Sequence, residues 1–387
     1  SDTICPTPSR NADNIWRQCE QQWQVIYCST EIIVFLPRVS MVCVLYPYAL
    51  SECTVEGTDM AKCVRGRGAQ WVGLPGVWYH DNDIVGLGGP GLIISASRRT
   101  DIPAFYGEWF MNRIRAGFCL VPNPYCPTQV SMVSLAKDDV DAIVFWSRDP
   151  RSMMPHLHEL DNMGYGYLFQ YTINGYPRLL EPKMPDLGSA IATFVELASV
   201  IGPSRTLWRY DPIILSNITP PEYHIKMFSE IAAALEGSTT RVTVSLLDLY
   251  RKTKRRLEEL EEISLWETEV PGAPGQLKSD VLGLFAKIAA IARSHGMVIT
   301  SCAEPYDLSA CGIGHGACID ADTIRAALGV EVSRRKDPGQ RGECGCVVSR
   351  DIGVYDTCMR GCVYCYATDG TGTEKAHDPH APALNGR

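Results

Sequence analysis

From residue 92 onward, short apolar runs alternate with longer stretches of helical spacing. Six runs rich in β-branched and aromatic residues predict strands: Leu92–Ser97, Ala142–Ser147, Gly166–Ile173, Arg205–Tyr210, Arg241–Leu247 and Met297–Cys302. Apolar residues three and four apart predict helices over Pro103–Ala116, Arg151–Asn162, Leu187–Ile201, Pro221–Leu235, Arg251–Glu262, Leu277–His295 and Ala321–Leu328. Pro103 and Pro221 suit first helical turns, where the missing N–H costs nothing. Strands alternating with helices imply a parallel sheet with crossover helices. The expected fold class is α/β, a partial (β/α)6 TIM-like barrel with a C-terminal cysteine-rich segment. Phe118–Val133 reads as an inserted hairpin or loop, and Glu267–Gln276 as an irregular connection.

Nearly every expected strand ends in polar residues. In (β/α) barrels the carboxyl ends of the strands form the catalytic mouth. That places Arg98, Asp101, Arg148, Gln170, Arg209, Asp211 and Glu304 there as candidate catalytic residues. The three arginines suit an anionic substrate, gripped bidentately. The competing account is structural ion pairing, such as Arg98 with Asp101. The basic run Arg251–Arg256 reads as a solvated helix face, with a phosphate or nucleic-acid contact as the alternative.

Residues 1–90 carry no sustained period and read as a poorly ordered or irregular extension. Their most apolar run, Ile32–Leu50, holds Pro37, Arg38 and Pro47, which argues against a membrane span. The organisation expected is this extension, the barrel over 91–300, a cysteine-rich segment over 301–369 and a disordered tail over 370–387. A 45% apolar content supports a sizeable core, and a net charge of −8 announces no nucleic-acid partner. Ser1-Asp-Thr-Ile lacks the basic start of a secretory leader, so the sixteen cysteines point to metal ligation in a cytoplasmic protein.

Eight of those cysteines lie between 302 and 365. Cys358, Cys362 and Cys365 have the spacing C-x3-C-x2-C. One short loop can thus present three thiolates to three irons of a [4Fe–4S] cluster, leaving the fourth iron open. A zinc knuckle is the alternative, though zinc ordinarily takes four ligands. Cys302, Cys318, Cys344 and Cys346, with Cys311 as a spare, form a second candidate set for another Fe–S cluster or a zinc ion.

The terminal loop resembles the cluster loop of the radical S-adenosylmethionine (SAM) enzymes. Residues 92–368 also resemble the bacterial and archaeal family called domain of unknown function 1848. The matching stretches are Ile93–Pro103, Val144–Trp146, Trp208–Pro212, Gln340-Arg341, Cys344-Gly-Cys346 and the terminal cysteine motif with its Tyr-Ala. The resemblance implies a radical-SAM-like cluster at the C-terminus of a circularly permuted barrel. Val347–Ile352 would supply the strand preceding the loop, and Tyr364 would pack near the SAM adenine. It implies SAM as cofactor, a reductant such as flavodoxin or ferredoxin, and hydrogen abstraction from an unknown substrate. The alternatives are a non-enzymatic Fe–S redox or iron sensor and a zinc-dependent barrel hydrolase or lyase.

Overall fold

The computed structural model describes residues 91–126, 129–369 and 377–386, together with short strand segments between residues 24 and 87. The chain divides into two compact units, Ser1–Gly86 and Leu87–Arg387. In the first, Gln24–Cys28 pairs with Glu31–Phe35, and five further segments form an antiparallel sheet. The expectation of a poorly ordered extension otherwise falls outside the described residues. Among the described residues, no helix is long and apolar enough to cross a membrane.

The second unit is built on one parallel sheet of eight strands. Its strands are β1 (Leu92–Ala96), β4 (Val140–Ser147), β5 (Tyr167–Thr172), β6 (Thr206–Ile213), β7 (Arg241–Leu246), β10 (Val298–Cys302), β11 (Gly314–Gly316) and β12 (Arg350–Asp351). Two antiparallel hairpins lie outside it: β2 (Phe118–Pro122) with β3 (Val130–Ser134), and β8 (Glu269–Val270) with β9 (Ala273–Leu277). The order is β11-β10-β7-β6-β5-β4-β1-β12. Chain neighbours therefore pair throughout, except that β12 returns to lie beside β1. Among the described residues, β11 and β12 do not pair with each other, so the sheet is open-edged and does not close. The expected six strands are all present. The short outer strands β11 and β12 add to them, their pairing compensating for weak local patterns.

The helices are α1 (Ile102–Phe105), α2 (Gly107–Ala116), α3 (Leu157–Asn162), α4 (Leu187–Ile201), α5 (Pro221–Ala234), α6 (Arg251–Glu258), α7 (Ser279–Ser294) and α8 (Ala321–Leu328). Several expected helices are shortened. The span from Pro103 breaks at Tyr106, two 3-10 turns over Pro150–Ser152 and Met154–His156 precede α3, and α6 ends at Glu258 rather than Glu262. Asp186 and Asp320 cap α4 and α8 through side-chain bonds to Ser189 N and Thr323 N.

Strand side chains alternate between the two faces of the sheet. Ile94, Phe145, Tyr167, Phe169, Tyr171, Trp208, Tyr210, Val242, Val244 and Ile299 pack with the helices in one large cluster. Each fully buried aromatic or aliphatic side chain contributes roughly 1.5–3 kcal/mol there. Ile93, Ala142, Val144, Leu168 and Leu207 form a second cluster with α8 and the cysteine-rich segment. That second face carries Ser95, Trp146, Gln170, Arg209 and Cys302 at alternate positions. The C-terminal residues, expected to form a disordered tail, dock from His377. Trp109 Nε1 donates to Ala381 O at 2.9 Å, and Leu384 joins the large cluster.

Beneath β6, His224 is fully buried. Its ring bridges Tyr210 Oη at 2.9 Å and Ile214 O at 3.0 Å, which suits a neutral imidazole donating to the carbonyl and accepting from the phenol. Burial lowers its pKa to about 4. The unfolded chain takes up this proton near pH 6.5, whereas the folded one resists until about 4. Stability from this group is therefore present above pH 6.5 and lost as pH falls towards 4, by on the order of 3 kcal/mol. We expect the urea-unfolding stability of the wild type minus that of His224→Gln to shrink by that order between pH 7 and pH 4.5. A constant difference would contradict a neutral buried His224.

Candidate metal centre

The terminal cysteine loop reaches the sheet through β12. Arg350 and Asp351 pair with Ile94 and Ser95 of β1. Asp351 then accepts hydrogen bonds from Ser95 Oγ (2.8 Å), Ser97 Oγ (2.7 Å) and Arg98 N (2.8 Å). Gly353 is required at this turn, because a Cβ there would lie 1.9 Å from Ser97 Oγ. The chain next passes over the carboxyl ends of the strands. Tyr106 Oη donates to Thr357 O at 2.6 Å, Val363 N to Leu180 O at 3.1 Å and Tyr366 Oη to Arg98 O at 2.8 Å. Arg256 of α6 donates to Thr368 O at 2.7 Å and also to Cys365 O.

Arg360, inside the loop, is 9% exposed at its side chain and lies 3.5 Å from Asp101 and 3.3 Å from Asp149. Asp101 also accepts from Ser147 Oγ at 2.6 Å and Arg148 N at 2.9 Å. Burial raises the Asp101 pKa, while Arg360 and the hydrogen bonds pull it back. The expected Arg98–Asp101 ion pair is thus replaced by Arg360–Asp101, since Arg98 faces the opposite way.

Cys358, Cys362 and Cys365 lie close enough to influence one another electrostatically. Burial raises Cys358 to about 12, opposed in part by backbone N–H groups of Arg360 and Asp101. Ala367 N donates to Cys365 Sγ at 3.3 Å. Burial also raises Cys362, and Arg148 opposes it. Backbone donors and a nearby cation suit sulfurs that carry thiolate charge. Beside Cys362, Arg148 Nη1 bonds Glu181 Oε1 at 2.5 Å, and its guanidinium lies 5.5 Å from the Tyr364 ring centre. Tyr364 Oη donates to Glu181 and receives Asn174 Nδ2 at 3.3 Å.

A second group lies on the inner face. Cys318 Sγ stands 2.7 Å from Cys302 Sγ. Ile319 N donates to Cys346 Sγ at 3.4 Å, and the neighbouring Cys302, Cys318 and Cys344 thiols together with Arg98 hold the Cys346 pKa below the ordinary thiol range. Arg209 Nη1 reaches Cys318 Sγ at 2.6 Å and also pairs with Asp211. Gln170 Nε2 donates to Cys318 O at 2.6 Å. Trp146 sits between two guanidiniums, Arg98 at 5.1 Å and Arg209 at 4.9 Å from its ring centre. Glu304 accepts from Leu246 N at 2.6 Å, and burial pushes its carboxyl up to about 8. Cys311 lies elsewhere, in the helix-side core. Among the described residues, no group of three or more histidine, cysteine or acidic side chains is spaced to hold a metal ion.

The expected site residues therefore separate. Asp101, Arg148 and Tyr364 surround the three-cysteine loop. Arg98, Gln170 and Arg209 surround the four thiols. Asp211 joins the two groups: its side chain meets Arg209 and Ser245, and its carbonyl takes Asn174 Nδ2 at 3.2 Å. Arg98, Arg148 and Arg209 each already face a buried acceptor. Glu181, Arg360, Asp351, Asn174 and Arg256 were not anticipated. A periodic pattern carries no signal for them, although Arg360 lies inside the cysteine motif.

A family model described as domain of unknown function (DUF1848) matches residues 93–367. The chain belongs to the DUF1848 family. Both cysteine groups and β12 fall within the DUF1848 span. No curated protein matches the chain. Among solved structures, dihydropyrimidinase from Brevibacillus agri NCHU1002 is similar at 13% identity and a TM-score of 0.25, over 55% of this chain and 40% of that one. So weak a likeness carries no argument about this DUF1848 member.

Arg360 offsets two buried carboxylates, so its removal leaves uncompensated charge. Arg360→Met is expected to lower unfolding stability by about 3–5 kcal/mol, and Arg360→Lys by less. Wild-type stability for Arg360→Met in urea unfolding would remove Arg360 as the loop's anchor.

Proposed function

We propose that this protein is a radical SAM enzyme in which Cys358, Cys362 and Cys365 hold a [4Fe–4S] cluster. The observation that carries the reading is the three-thiol loop suspended over the carboxyl ends of β1, β4 and β5. One short loop brings the three sulfurs within electrostatic reach of one another, and three thiolates so supplied suit three irons of a cluster better than zinc, which ordinarily takes four ligands. No fourth cysteine follows within the loop, which favours an open iron over a closed zinc knuckle. The position of β12, before the loop and beside β1 in the open sheet, suits the circular permutation that the resemblance implies.

When bound, an open-iron cluster supplies the electron that splits SAM into methionine and a carbon radical able to take a hydrogen atom from substrate. The chain's own residues have other tasks. Thr357 and Arg360 tie the loop to the strand ends. Burial around Cys362 and Tyr364 keeps water from the reaction. The Arg148–Glu181 pair with Asn174 holds the buried Tyr364 ring, the position that the resemblance sets near the SAM adenine. Glu304, retaining its proton to about pH 8, offers an O–H donor between Asp211 and Asp248. The electron comes from a reductant of the flavodoxin or ferredoxin class, and the oxygen sensitivity of such a cluster suits a cytoplasmic enzyme.

Anaerobic reconstitution of the full chain with iron, sulfide, reductant and SAM should yield 5′-deoxyadenosine and methionine. Cys362→Ala should abolish both and lose its iron. Arg148→Met should retain iron while lowering SAM cleavage at least tenfold. Normal iron loading without SAM cleavage would overturn the proposal.

A further inference from the structure

The four thiols around Cys346 have no part in the chemistry just described. They come from three separate places: the end of β10 (Cys302), the turn after β11 (Cys318), and the Cys344-Gly-Cys346 loop ahead of β12. Cys318, Cys344 and Cys346 are all at most 5% exposed. The backbone is shaped to bring them together. A Cβ on Gly345 would lie 3.2 Å from Gly316 O, and one on Gly316 would lie 2.6 Å from Thr300 Cβ, so the three segments approach at their glycines. Val347 N to Ile319 O (3.0 Å) and Asp337 N to Cys346 O (2.9 Å) lock that approach. Ile319 N donates to Cys346 Sγ at 3.4 Å.

Two features say what these sulfurs are for. Their mutual contact is the first. Cys302 Sγ meets Cys318 Sγ at 2.7 Å, and Cys346 Sγ takes the backbone N–H of Ile319, the residue next to Cys318. Ligands of a cubane bind four different irons and stand far apart, so the touching pair Cys302 and Cys318 suits one ion better than the second cluster expected from the cysteine count. Ligands of one tetrahedral ion stand about 3.8 Å apart, from a metal–sulfur distance of about 2.3 Å. The Cys302–Cys318 contact needs to open by only about an ångström to reach that spacing. Charge is the second. Four thiolates around a divalent ion leave two negative charges, and two buried guanidiniums, Arg209 on Cys318 and Arg98 on Cys346, face them.

We propose that Cys302, Cys318, Cys344 and Cys346 bind one tetrahedral divalent ion of the zinc class, releasing their thiol protons to solvent, with Arg98 and Arg209 as charge partners. The ion ties the end of β10 to the segment that leads into β12. It is a structural site, independent of the cluster on Cys358, Cys362 and Cys365.

The test is metal analysis of the anaerobically purified full chain, joined to cobalt substitution and thiol alkylation. The expected result is one zinc per chain, kept in Cys358→Ala and Cys311→Ser and lost in Cys346→Ser. Loading the wild-type protein with Co2+ should give the visible and sulfur-to-cobalt bands of a tetrahedral tetrathiolate. Added Zn2+ should protect the four thiols from alkylation, a readout that holds even if Cys346→Ser misfolds. A second cubane's worth of iron that depends on Cys346, a disulfide among the four, or alkylation unaffected by Zn2+ would each overturn the proposal.

Discussion

The carboxylate of Asp351 is the point from which the terminal cysteine loop is positioned. It accepts three hydrogen bonds from the end of β1, including one from a backbone N–H that no side-chain substitution can supply elsewhere. A two-residue strand has too few ladder bonds to hold itself. Satisfying this buried acceptor makes its register definite, because an unpaired buried carboxylate costs more than the bonds themselves return. With β12 placed beside β1, the loop that follows has only one side of the sheet to cross, and Cys358 arrives over the strand ends.

Charge then organises what register alone does not. The inner face buries several arginines, and each meets an acceptor: Arg148 meets Glu181, Arg209 meets Asp211 and Cys318, and Arg360 meets Asp101 and Asp149. Buried ions of this kind are tolerated only in such sets, and they favour one arrangement over its neighbours. The sets also divide the face between two cysteine groups. Arg148 and Arg360 serve the loop, whereas Arg98 and Arg209 serve the four thiols. The basic stretch of α6 follows the same logic on a smaller scale. Lys254 and Arg255 pair with acids one turn on, as a solvated face does, while Arg256 turns inward to the loop carbonyls.

Much of the frame was legible in the sequence. All six expected strands formed, and α4 and α8 began and ended at the residues their apolar spacing marked, Leu187–Ile201 and Ala321–Leu328. Period and propensity are local, so a local reading finds them. The polar strand ends and the spacing of Cys358, Cys362 and Cys365 were equally visible, because both are written in adjacent residues. The break at Tyr106 was not visible. Neither was the docking of Pro379–Ala381 against α2, where Asn112, Arg113 and Trp109 donate to successive carbonyls.

The sequence by itself determined the elements, the polar rim and two groups of cysteines. Only the tertiary structure decided which cysteines meet, that Cys311 stands apart, and that Asp101 answers to Arg360 rather than Arg98. It also decided that the sheet remains open at β11 and β12. Each of these depends on residues far apart in the chain, such as Cys302 with Cys346 or Ser95 with Asp351. Their proximity is set by packing a twisted parallel sheet, and no window of neighbouring residues contains it.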